Sequence, residues 1–158
     1  MQAEVTDKLG MRGEISVRID YFDGRPPEHR AFTNTILDNA RKMWANFLAN
    51  KESQAFISHM VFGDGGVHQN SKRQVKPEMR ELFGITRVSK PVIAQTDPDN
   101  SKQVIFTAVV SKEEGNGHPL TEMGLKLSTG ELFSLATFLE LNKTEQMQLT
   151  WNWRLIII

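Results

Sequence analysis

The chain contains no cysteine among its 158 residues. Disulfides, thiolate nucleophiles and cysteine-ligated zinc are therefore excluded, and stability must come from packing, hydrogen bonding or assembly. It also lacks a charge excess: 19 Lys and Arg balance 19 Asp and Glu. Nucleic-acid binders gain affinity by neutralising phosphates with a basic excess, so no nucleic-acid partner is expected. Zero net charge also leaves self-association unopposed by long-range repulsion. No run approaches the roughly 18 apolar residues that span a bilayer, so no membrane insertion is expected. The opening Met1–Asp7 is polar and acidic, unlike a secretory signal, and cytosolic synthesis is the expectation.

The motifs of catalysis are missing as well. There is no HExxH and no Gly-x-Ser-x-Gly. The four histidines, His29, His59, His68 and His118, have no i, i+4 pairing. Asp64, Asp97 or Asp99 could join them at a metal only through the fold, and ordinary surface or core histidines are the simpler reading. Asp97 to Ser101 offers oxygen donors without the glycine and glutamate spacing of a calcium loop. Gly63-Asp64-Gly65-Gly66 lacks the Lys-Ser/Thr of a phosphate loop and reads as a turn needing positive φ. Glu113-Glu114 reads as a solvated acidic corner. Lys72-Arg73, Lys76 and Arg80 form a local basic cluster without interleaved aromatics, which suits a solvated loop or a partner contact. No residue is assigned a catalytic, cofactor-binding or metal-binding role, and no cofactor or enzyme activity is expected.

The length fits one domain spanning residues 1–158. Residues 1–12 lack periodicity and suggest a flexible or partner-ordered arm. From 13 to 22 the pattern alternates, with Ile15, Val17, Ile19 and Tyr21 on one face, as in a half-buried strand. Asp23-Gly24 and Pro26-Pro27 stop it. Ile36, Leu37, Ala40, Met43, Trp44, Phe47 and Leu48 then recur at helical spacing, predicting a helix over 33–50 with Thr33, Asn34 or Thr35 as its cap. Residues 57–62 read as a strand, 67–76 as a polar loop, and 77–84 as one or two helical turns.

The half from 85 to 158 is β-rich. Ile85–Gln95, interrupted at Pro91, suggests an edge strand. Val104–Ser111 reads as a strand buried on both faces. Leu120–Leu127 alternates and turns at Ser128-Thr129-Gly130 into Leu132–Leu139. Met147–Ile158 places Met147, Leu149, Trp151, Trp153 and Leu155 on one face. Its last four residues lose the alternation, so that end either lies mid-sheet, the favoured reading, or docks on another subunit. The expected fold is mainly β: an antiparallel β-sandwich with one α-helix packed on it from the N-terminal half.

Several of these segments resemble one group of proteins. Asn34-Thr35-Ile36-Leu37 and Phe62-Gly63-Asp64-Gly65-Gly66 are similar to the front half of small tailed-bacteriophage structural proteins, among them collar and baseplate-ring proteins and tail-fibre attachment domains. Leu120-Thr121-Glu122-Met123-Gly124-Leu125 resembles their "LTEIGLF" strand. Ser128-Thr129-Gly130-Glu131-Leu132-Phe133 resembles the turn after it, and Ala136-Thr137-Phe138 the next strand. Asn142-Lys143-Thr144-Glu145 and Leu149-Thr150-Trp151-Asn152-Trp153 resemble the "NKT…LTWTW" ending. The resemblance covers about residues 33–66 and 118–155; residues 67–117 carry none of its motifs. It implies a virion tail component made in the host cytoplasm, a ring subunit or fibre adaptor that contacts copies of itself and other tail, baseplate or fibre proteins. A receptor- or carbohydrate-binding sandwich of a tail fibre is the alternative. The expected contact regions are the arm at 1–12, the loop at 67–84 and the C-terminal isoleucines.

Overall fold

The computed structural model describes residues 10–51 and 55–158. Two antiparallel five-stranded sheets pack face to face. Strand β1 (Met11–Tyr21) buries Ile15, Val17 and Ile19, the alternation expected of it. The arm expected at 1–12 is corrected at its end, because Met11 and Arg12 already belong to β1; residues 1–9 lie outside the described residues. Gly24, at φ +91°, lets the chain reverse after β1. It returns as β2 (Glu28–Thr33), paired with β1 from Glu14↔Thr33 to Ile19↔Glu28. The sequence pattern misses β2 because it is an edge strand that half-buries only Arg30 and Phe32.

The expected helix starts later than 33. Thr35–Ile36 forms a short strand, β3, and the helix α1 runs Asp38–Leu48. None of Thr33, Asn34 and Thr35 caps it; Leu37 holds the cap position without a side-chain bond. Tertiary contacts take over that role, with the Asp38 amide donating to the Pro77 carbonyl at 2.7 Å and the Leu37 amide to Phe133 at 3.0 Å. A partner carbonyl so placed satisfies one of the four N–H groups a helix start leaves free. The apolar stripe is covered over its first half, with Met43 packed against the main core, and opens at its end. Leu37 and Ala40 are buried, whereas Phe47 and Leu48 are 65% and 79% exposed.

Strand β4 (Ile57–Gly63) enters the second sheet, followed by the hairpin β5 (Val67–His68) and β6 (Ser71–Lys72). The hairpin turn uses Gln69 and Asn70 at φ 49° and 64°, the pairing of positive angles a two-residue turn of this kind requires. Residues 77–84 form no helix; the Met79 amide bonds the Lys76 carbonyl in one tight turn. The expected edge strand 85–95 is two strands. β7 (Thr86–Pro91) borders one sheet and β8 (Ile93–Asp97) borders the other, so the chain changes sheets at Val92.

Strands β9 (Asn100–Val110), β10 (Pro119–Leu127), β11 (Leu132–Asn142) and β12 (Met147–Ile157) complete the sandwich, in the orders β2-β1-β12-β9-β8 and β3-β11-β10-β4-β7. β12 lies in the middle of its sheet, paired from end to end with β1 and from Leu149 to Ile156 with β9. Ile156 is thus a mid-sheet residue, Ile157 pairs with β1 alone, and Ile158 lies beyond the strand and is exposed. β9 is not buried on both faces: Phe106, Ala108 and Val110 point inward while Val109 is 40% exposed. Conversely β10, read as alternating, is buried on both faces over most of its length.

Trp151 ties the layers together. Its ring lies 5.0 Å from Phe62, 5.7 Å from Phe138 and 6.1 Å from Phe32, joining β12 and β2 of one sheet to β4 and β11 of the other. Trp153 is buried beside it, and neither indole N–H has an acceptor among the described residues. An orphaned donor costs about 1–3 kcal/mol, so packing must outweigh it. Trp151→Ala is expected to cost about 3–5 kcal/mol in denaturant unfolding. Trp151→Phe, which keeps a ring and removes the orphaned N–H, should cost less than half of that.

Candidate interaction surface

The histidines and the acidic residues that could join them do not converge. His29 lies on β2, His59 on β4, His68 on β5 and His118 in the loop before β10. Among the described residues no group of three or more His, Asp or Glu is placed to hold a metal ion, and no helix is long and apolar enough to cross a membrane. Asp64 turns instead to Arg87, accepting from its Nε at 2.7 Å. Glu114 is not a solvated corner: it accepts from Lys90 Nζ at 2.9 Å and from the Ser111 amide and hydroxyl.

The residue that organises the surface is Glu122, fully buried on β10. Its Oε1 accepts from the amides of Gly65 at 3.0 Å and Gly84 at 2.8 Å, and its Oε2 from the amide of Phe83 at 2.7 Å. Beside it, the Thr121 hydroxyl accepts from the Gly66 amide at 2.8 Å. A buried carboxylate is tolerated only with such charge-assisted bonds. The glycines serve this approach, not a positive φ, which corrects the sequence reading of 63–66. A Cβ on Gly65 would collide with the Gly84 backbone, and one on Gly66 with the Thr121 carbonyl.

Pinned at both ends, residues 64–84 lie as a strap over the outer face of the β4-β10-β11 sheet. Val75, Met79, Leu82 and Phe83 pack there on Leu37, Val61, Leu132 and Leu135, a second apolar layer outside the main core. The Leu132 amide bonds the Arg80 carbonyl at 3.1 Å and the Arg73 amide bonds Gly66 at 2.8 Å. The loop expected as a contact region is thus half internal structure, with Lys72, Arg73, Lys76 and Arg80 on its exposed side. Among the described residues no such layer covers the outer face of the other sheet, which carries β9's Val109 outward.

Lys143, within the Asn142-Lys143-Thr144-Glu145 segment, is buried. Its ammonium donates to Asn116 Oδ1 at 2.8 Å, to the Thr144 carbonyl at 2.9 Å and to the Lys112 carbonyl at 3.3 Å, fixing the 112–117 loop. Burial pushes it below the usual lysine range, and Glu114 and Glu113 pull it partly back. A further groove of about 310 Å³ lies along the helix, lined by Met11, Ile36, Trp44 and Leu48 among others.

Compared with known proteins, residues 29–157 match the family described as phage tail-collar fibre protein, N-terminal. No curated protein and no solved structure matches the chain.

Two outcomes follow from this geometry. Glu122→Gln keeps the shape but removes the charge from three backbone donors and forces an NH2 group against them. It is expected to lower stability by about 2–4 kcal/mol in chemical denaturation and to make 64–84 the first site of proteolysis. The Asp64 carboxyl is held below the ordinary aspartate range by the Arg87 hydrogen bond, with burial opposing. The folded value is the depressed one, so this stabilisation is complete above about pH 4 and is lost as pH falls through the folded value. Unfolding free energy measured from about pH 5 to about pH 2.5 should fall less steeply in Asp64→Asn than in the parent.

Proposed function

The chain belongs to the phage tail-collar fibre protein family, within its N-terminal domain, and is a structural component of the phage tail; from that premise we propose that it is a non-enzymatic collar or baseplate ring subunit or fibre-attachment adaptor, acting through contacts with its own copies and with other tail proteins. The observation that carries this reading is how the chain uses its distinctive residues. The tryptophans of β12, the strap glycines, Glu122 and Lys143 are all consumed in holding the sandwich and its strap. What the molecule offers outward is contact area: the basic side of the strap, the free edges of the sheets, and Phe47 and Leu48 at the open end of the helix. Stable contacts of this kind bury roughly 1,200–2,000 Å².

The receptor- or carbohydrate-binding alternative calls for exposed aromatics gathered in a cleft. The exposed aromatics among the described residues are Phe22, Phe47 and Phe56, and the β12 tryptophans are inside. The adaptor reading is therefore preferred.

Native mass of the purified chain, measured by light scattering over a concentration series, tests it, followed by co-purification with the other tail proteins. A mass above the 18.0 kDa of one chain, or a stable complex with a tail protein, is expected. A monomer at every concentration that joins no tail protein contradicts the proposal, as does hydrolytic turnover by the purified chain.

A further inference from the structure

An unpaired sheet edge exposes a row of backbone donors and acceptors, and folded proteins blunt such edges with charge, proline, shortness or a cover. The two large sheets have their edges at β2, β8, β3 and β7. On β2, Glu28 and Arg30 stand opposite buried Ile19 and Val17, which puts charge on the inward side of the strand. β7 carries Arg87, Lys90 and Pro91. β3 is two residues long, and beyond it the Thr137 hydroxyl of β11 donates to the Arg73 carbonyl of the strap at 2.8 Å. β8 has none of these devices. From Ile93 to Thr96 it holds no charge and no proline, and all of these residues are exposed. Ile93, 67% exposed, stands opposite Thr107 of β9, and exposed Val109 lies on the same face of that strand. Among the described residues no strand pairs with the outer side of β8.

A matching pattern lies in residues 1–9. β1 starts at Met11 and turns its odd-numbered residues inward. Carried back along the chain, that phase corrects the reading of residues 1–12 as aperiodic. Met1, Ala3, Val5 and Leu9 fall on it, interrupted by Asp7, while Gln2, Glu4, Thr6 and Lys8 take the other positions. Such alternation is the pattern of a half-buried strand, which needs an edge to pair with. Within one copy β12 and β9 stand between β1 and β8. Extended, nine residues reach about 30 Å, more than the length of β8. We infer that β8 is the docking edge for residues 1–9 of a second copy of this chain, added there as a further strand of the β12 sheet. The inference rests on the assembly proposed above and names the contact that makes it. Backbone bonds to the added strand supply affinity, and its apolar side chains cover Ile93. Because an arm meets a different surface on the next copy, the contact is heterologous and propagates, closing into a ring where the rotation allows.

Two variants test it against the full chain: one lacks residues 1–9, and the other carries Ile93→Lys and Gln95→Lys, which place on β8 the charges that blunt an edge. Both lysines stand at exposed positions, so thermal melts of both variants should match the parent and show that they fold. By light scattering each variant alone should self-associate about tenfold or more weakly than the parent. Mixed in equal amounts, the first supplies an intact β8 and the second an intact arm. The mixture should therefore form a one-to-one pair and nothing larger. If the parent self-associates while either variant alone keeps its affinity, or if the mixture forms no pair, this contact is wrong and the assembly proposal still stands. If loss of the arm lowers the melting temperature and leaves the mass unchanged, the arm packs on its own chain, and the docking edge is again wrong. A parent that stays monomeric but binds another tail protein overturns the docking edge alone; one that does neither removes both.

Discussion

A carboxylate with no access to water must be surrounded by donors, and Glu122 draws its donors from the backbone of a segment far away in sequence. Gly65, Phe83 and Gly84 supply them. Everything between Gly65 and Phe83 then has to close over the sheet. The closure explains why Gly65, Gly66 and Gly84 carry no side chain: each sits where a Cβ would meet backbone or the Asp64 carboxylate. It also explains how α1 begins without a capping side chain, since Pro77 of the strap supplies the carbonyl its first turn needs. One buried charge thereby orders a stretch that has little regular structure of its own.

The strap makes the sandwich asymmetric. The β4-β10-β11 sheet is covered on both faces, by the tryptophan core within and by the Val75–Phe83 layer without. Among the described residues the β12 sheet is covered on one face only. Burial on both faces is what leaves β10 without polar alternation, and solvent on one face is what gives β9 its alternation despite an apolar composition. For a tail component this division is useful. The rigid interior comes from long-range pairing and the aromatic cluster, and the exposed rim presents charges and apolar groups at fixed positions.

Local pattern carried the strands whose burial is decided by alternation alone: β1 through Ile15, Val17 and Ile19, and β12 through Trp151 and Trp153. The helix was legible from its stripe, but not its start, because the pairing of Thr35–Ile36 with β11 overrides the capping preference of Thr33, Asn34 and Thr35. β2 stayed hidden because an edge strand with half-buried Arg30 and Phe32 has little apolar signal. Glu122 was visible only as one letter of the Leu120–Leu125 resemblance. Its donors lie 57, 39 and 38 residues away, a separation no local periodicity can carry. Lys143 was obscured for the same reason, as its bonds to Lys112 and Asn116 form only when two loops meet. The basic cluster of Lys72, Arg73, Lys76 and Arg80 was legible in the sequence, whereas the folding of its segment over the sheet was not, because it depends on the distant Glu122 and Leu132.

Native-state hydrogen exchange at the amides of Gly65, Phe83 and Gly84 addresses the central claim directly. If the Glu122 carboxylate holds the strap as an integral layer, these three amides exchange as slowly as those of central β10, through the same global opening. Exchange several orders of magnitude faster, with β10 still protected, would show the strap opening on its own and would contradict the claim that this buried charge organises the surface.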